Sequence, residues 1–230
     1  QLPMLEDVVP RVKQEKLNPV FGWRFDKAKP GAKQVAPEFG SHHIQASSVI
    51  KMTPGGLKLD GQQWLCLDFE EPVLPNMPQT MTVESRLVVQ DSGKWGGIVG
   101  AIQDNGSYEK GFLLGMHDQR FFFAVAGGHR SQLTYLHAPA RFEKQKKYHL
   151  VATYDGTTMK LFVNGAPVSQ SKAQSGAIQV DPNSWLAVGA YKDSDELYLM
   201  KGTITSASIY QGVMTDRQVM DRFLLHKPNP

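Results

Sequence analysis

Residues 147–170 (KYHLVATYDGTTMKLFVNGAPVSQ) leave this chain few folds to choose from. Asp155-Gly156 and Asn164-Gly165 each sit between short segments rich in β-branched and aromatic residues. Such dipeptides supply the positive φ angles of tight type I′ turns and are strong hairpin signals. Two hairpins in succession predict an antiparallel meander of three strands. The stretch defines a scaffold while carrying no recognisable chemistry.

The same pattern extends over most of the chain. Short apolar runs are predicted as strands at residues 21–25, 57–59, 64–69, 97–103, 110–116, 121–126, 132–137, 185–190 and 202–210. Residues 80–90 alternate strictly: Met81, Val83, Ser85, Leu87 and Val89 share one face, and Thr82, Glu84, Arg86 and Gln90 the other. That period marks a half-buried antiparallel strand. One helix is expected, over residues 215–225, with Thr215 as its N-cap and Val219 and Phe223 on its apolar stripe. Many short strands, frequent turns and one late helix predict an all-β, two-sheet antiparallel sandwich with one short C-terminal helix. Residues 1–18, with scattered charge, two prolines and no alternation, read as an N-terminal arm or linker, and residues 19–230 as the domain.

Composition excludes several classes. The 230 residues suit one large β domain, and a net charge of +3 without a basic stripe argues against a nucleic-acid partner. The single cysteine, Cys66, excludes an intrachain disulfide and multi-cysteine metal sites. Its apolar neighbours predict a buried, inert thiol. No apolar run is long enough to span a membrane as a helix. A chain beginning at Gln1 suits a mature or trimmed form, so an extracytoplasmic location, secreted or periplasmic, is expected, as part of a larger multidomain protein.

Five segments, in order, resemble a known family: FGWRFD (21–26), GLKLDGQQWLCL (56–67), TMTVESRLVV (80–89), the 147–168 meander and KGTITSASIYQGVMTDRQV (201–219). The chain resembles a laminin G-like domain of the concanavalin A-like lectin/glucanase superfamily, which implies a jelly-roll sandwich. Residues 94–115 resemble versions carried by secreted bacterial multidomain proteins. The superfold hosts lectins, glycosidases and adhesion modules, so function has to be argued from the site.

The resemblance makes three tests possible. Glucanases of this fold carry Glu-x-Asp-x-(x)-Glu on one strand, placing two carboxylates about 5 Å apart across the scissile bond. No such run occurs here, and Asp193, Asp195 and Glu196 fall in what reads as a solvated loop. Glu84 matches a residue of non-catalytic members and is expected to be structural. No nucleophile elbow or phosphate loop is present, and the histidines lack the spacing of a helical metal pair, so no enzyme is expected. Relatives with a closing Gly-x-Ile-Asp-Glu imply a structural calcium. Thr205 stands where that aspartate would be, which weakens the site and leaves Asp26 and Asp60 as candidate ligands. No cofactor is expected to be required.

Carbohydrate recognition needs aromatic faces with amides and carboxylates beside them. Residues 103–110 have that composition, and Asp104, Asn105, Tyr108 and Glu109 are the candidates there, with Trp95, Tyr135 and Trp185 expected to line the same region. His129 and Arg130 form a second exposed candidate loop. The expectation is a non-catalytic module binding carbohydrate through the concave sheet and adjacent loops. Two alternatives stand beside it: a protein-interaction or architectural domain, and a divergent glycoside hydrolase.

Overall fold

A computed structural model describes residues 17–49, 51–70, 77–128 and 132–225. The first half contains β1 (Asn18–Arg24), β2 (Gln34–Val35), β3 (Ile44–Ala46), β4 (Lys51–Thr53), β5 (Gly56–Asp60) and β6 (Leu65–Cys66). Four long strands follow: β7 (Met81–Ser92), β8 (Trp95–Asn105), β9 (Tyr108–His117) and β10 (Arg120–Val125). Then come β11 (Thr134–His137), β12 (Lys147–Tyr154), β13 (Met159–Val163) and β14 (Ala166–Ser171). The chain closes with β15 (Ala187–Val188), β16 (Ala190–Lys192), β17 (Leu197–Gln211) and helix α1 (Asp216–Leu224).

These strands form two antiparallel sheets, packed as a jelly-roll sandwich. One runs β14-β13-β12-β7-β17-β5-β4, with β1 and β16 also paired to β17; the other runs β11-β10-β9-β8-β15-β6-β3-β2. The core lies between them. Met81, Val83, Leu87 and Val89 of β7 meet Ala101 of β8, Phe112 and Leu114 of β9, and Phe121 and Phe123 of β10. The alternation of residues 80–90 is therefore real, and it leaves Glu84 and Arg86 on the opposite face, where both line a cavity.

The meander is β12-β13-β14, with its two turns built differently. Asn164 and Gly165 both have positive φ, as a type I′ turn requires. In the first turn only Gly156 does. There the Asp155 carboxylate accepts the N–H groups of Thr157 and Thr158, so a side chain takes over the work of a second left-handed residue. Helix α1 begins as expected: Thr215 and Gln218 exchange a capping box, each side chain accepting the other's N–H. The run at 185–190 divides into β15 and β16, and β17 is longer than expected. Strand β1 already begins at Asn18; of the expected arm only Leu17 and Asn18 are described, and residues 1–16 lie outside the described residues.

Candidate functional site

Cross-strand register builds the site surface. Gly100, Leu113, Ala124 and Tyr135 stand opposite one another on β8, β9, β10 and β11. Their sequence neighbours fill the inter-sheet core, so this row faces outward. Trp95, Ile102, Leu113, Phe122, Ala124, Tyr135 and Tyr191 form a separate apolar cluster there. Tyr191 arrives on β16, which crosses over β8. A Cβ on Gly97 would lie 2.0 Å from the Ala190 carbonyl, so only glycine permits that crossing.

The cluster satisfies its own polar groups. Tyr135 and Tyr191 donate their hydroxyls to Asp104 Oδ2 at 2.7 and 2.8 Å. Burial first, reinforced by that carboxylate, raises both phenols above their ordinary range and keeps them donors. Glu109 accepts the Leu133 N–H at 2.5 Å. The Trp95 indole stacks on His117 at 3.7 Å, with the His137 ring 5.6 Å from His117. Trp95, Asp104 and Tyr135 thus come together as expected, but as a packed, mutually bonded group.

The open part lies at the β8–β9 hairpin tip. Tyr108 is 42% exposed, the one exposed large aromatic ring among the described residues. Its hydroxyl donates to Asp181 at 2.6 Å, and the Lys110 ammonium lies 4.9 Å from the ring centre. Burial raises the Asp181 pKa, but the Tyr108 hydroxyl and Asn183 N–H outweigh it, so the carboxyl sits below its ordinary value. Asn105, at the same tip, donates to Gln103 and, at 2.9 Å, to Ser194. An aromatic ring, a carboxylate, an amide, an ammonium and a hydroxyl therefore share this rim. Sequence reasoning found Asn105 and Tyr108; it missed Asp181 and Ser194, which only the fold brings alongside.

Other candidates lie elsewhere. Trp185 packs with Trp64, Cys66 and Phe69, and the Lys192 ammonium sits 4.4 Å over its ring. Trp185, Trp95 and Tyr108 thus occupy three separate environments. The 193–196 loop is exposed at Ser194 and Asp195, as the solvated reading expected, but Asp193 is fully buried, and its Oδ1 accepts the N–H groups of Asp195 and Glu196. Burial raises its pKa, and Lys192 donates to its carbonyl. Asp26 is bound by both nitrogens of an Arg24 fork at 2.8 and 2.6 Å, while Asp60 accepts from Gln62 and Gln63. Among the described residues, three or more His, Cys, Asp or Glu side chains nowhere converge as a metal group. His129 and Arg130 lie outside the described residues. Cys66 is buried, and that burial pushes its thiol up to about 12.

The outer face of the other sheet holds a charge cluster that the sequence did not reveal. Glu84, 5% exposed, accepts from His149 Nε2 at 2.8 Å, Arg222 Nη2 at 2.6 Å and the Tyr210 hydroxyl at 3.2 Å. Burial alone would raise its pKa; the His149 and Arg222 hydrogen bonds and the guanidinium charge outweigh it and bring the carboxyl to about 2. Burial lowers the His149 pKa, so the ring is neutral and donates through Nε2. A cavity of about 960 Å³ opens beside this cluster.

The sandwich and its outward sheet surface define a concanavalin A-like β module. The chain belongs to the laminin G-like family of the concanavalin A-like lectin/glucanase superfamily, whose model matches residues 59–220. It is 28% identical to mouse pappalysin-1 over 163 residues, 65% of this chain and 10% of that protein. Human pappalysin-1 gives 28% over 140 residues, 9% of its length, so the chain spans about a tenth of these curated relatives. Domain 4 of an extracellular arabinanase from Geobacillus stearothermophilus, solved with arabinotriose, superposes with a TM-score of 0.69 at 16% identity, covering 90% of this chain and 98% of that one. Trypanosoma rangeli sialidase, solved with sialic acid, gives 0.64 at 16% identity over 90% of this chain and 33% of its own. A carbohydrate-binding module of a Ruminococcus gnavus sialidase, bound to sialyllactose, gives 0.56 at 13% over 64% and 83%. At these identities the likeness is one of fold.

Proposed function

We propose that this domain is a non-catalytic carbohydrate-recognition module of an extracytoplasmic, larger protein. It binds glycan at the rim of the eight-stranded sheet, around the β8–β9 hairpin. The observation carrying this reading is the exposed Tyr108 ring with Asp181, Lys110, Asn105 and Ser194 beside it. A tyrosine ring can cover the apolar face of a sugar while neighbouring amide, carboxylate and ammonium groups bond its hydroxyls. Fold neighbours solved with arabinotriose and sialyllactose support the ligand class.

Hydrolysis is not assigned, because Asp104, Glu109 and Asp193 at this face have other duties. Asp104 holds two tyrosines, Glu109 holds a backbone amide and Asp193 is buried inside its turn. Calcium is not assigned either, since Asp26 and Asp60 are engaged by Arg24 and by the Gln62–Gln63 turn. A glycan array probed with and without chelator tests the reading. Calcium-independent binding of at least one oligosaccharide class is expected. An array silent in both conditions would sink it.

A further inference from the structure

The cavity on the outer face of the nine-stranded sheet has a floor of β1, β7, β12 and β17 residues, with Arg222 and Phe223 of α1 on one wall and Phe39 on another. Its volume of about 960 Å³ is within the range of small-ligand sites. Three guanidiniums reach it: Arg24, Arg86 and Arg222. Arg24 is held by Asp26 and Arg222 by Glu84. Among the described residues Arg86 has no carboxylate within hydrogen-bond distance, only a longer ion pair with Glu84. Its Nη2 donates to the Arg222 carbonyl at 2.7 Å, and its nearest carboxylate oxygen, on Glu84, is 3.9 Å away. A guanidinium has five N–H donors, so most of those on Arg86 remain for a ligand. With its side chain 17% exposed, it is shielded enough to reward a charge partner yet open to the cavity.

The rest of the lining narrows the ligand class. Hydroxyls of Thr203 and Ser206, the Asn164 amide, and the rings of Phe39 and Phe223 face the same space. Strand β7 is paired with β12 and β17 on its two sides, and β17 with β7 on one side and β1 and β5 on the other. The central floor strands β7 and β17 thus offer no free edge for a peptide main chain to join. Recognition falls to side chains: a charge fork, hydroxyls, an amide and aromatic edges.

We propose that this cavity is a second ligand site, separate from the hairpin rim, which takes the acidic sugar of a uronic-acid oligosaccharide, its carboxylate docked on Arg86. Titration calorimetry of the whole chain with trigalacturonate and with uncharged galactotriose tests it. Trigalacturonate binding should weaken as salt rises, exceed that of galactotriose, and fall about tenfold or more in Arg86→Gln. Tyr108→Ala should leave it intact, so failure of one site is distinguishable from failure of the other. Equal binding of the two sugars, no trigalacturonate binding, or full binding by Arg86→Gln would overturn the proposal. So would capture of a hexaglutamate peptide, lost in Arg86→Gln, with no sugar bound, which would assign the cavity to acidic peptides. If Arg86→Gln does not fold, the Arg86 Nε–H resonance of the wild-type chain should shift on adding trigalacturonate, and a stationary resonance would overturn the assignment.

Discussion

Glu84 shows how much one side chain organises. Its carboxylate joins β7, β12, β17 and α1 through Arg222, His149 and Tyr210. Alternation in the sequence placed it opposite the core, and its structural role agrees with the family resemblance. Its partners were not legible, because they lie 65, 126 and 138 residues away. Glu84→Gln removes the negative charge and leaves Arg222 and its neighbours facing a neutral amide. A loss of about 2 kcal/mol is expected, below the figure for a fully buried pair because Arg222 keeps solvent contact. A urea midpoint equal to wild type would remove the cluster from the stability account.

The same residues set the response to acid. Burial lowers the His149 and His137 pKa values, so these rings stay neutral in the fold while the unfolded chain takes protons near the ordinary 6.5. Their contribution is complete above that value and declines as pH falls below it. Glu84, ordinarily 4.5 and here about 2, adds a further loss as pH drops through that interval. Asp26, Asp155 and Asp181, also held low, act with Glu84, and Asp193, held high, acts against it. Urea midpoints measured stepwise from pH 8 to pH 3 should decline in two stages. A flat profile between pH 7 and pH 5 would contradict the neutral histidines.

At the scale of elements, hairpins were legible where turn chemistry is local, as at Asn164-Gly165. The first turn was half legible: its position followed from Asp155-Gly156, but the carboxylate bonds that shape it did not. Gly165 also meets α1, since a Cβ there would stand 3.0 Å from Met220 Sδ and Phe223 Cδ1. Gly165→Val combines a positive-φ penalty with that contact, and should destabilise the chain by about 2 kcal/mol. An unchanged melting curve would contradict both the turn and the helix packing. The crossing of β16 over β8 was illegible, because it depends on Gly97 meeting a backbone more than ninety residues later. That crossing places Tyr191 on Trp95 and Tyr135, packing what the sequence suggested would be an open aromatic surface.

Across the whole molecule, the sandwich presents two unlike faces. The eight-stranded sheet is capped by its own aromatics, leaving polar groups and one exposed ring at the β8–β9 rim. The nine-stranded sheet carries the Glu84 cluster and the arginine-lined cavity beneath α1. Under the function proposed for the hairpin rim, affinity rather than turnover is what the domain supplies. Titration of the strongest array oligosaccharide into wild type and Tyr108→Ala, with melting temperatures matched, tests that claim most directly. Loss of the stacking ring should weaken binding about tenfold, roughly 1.4 kcal/mol, at unchanged stability. Equal affinity of the two proteins would contradict recognition at the hairpin rim.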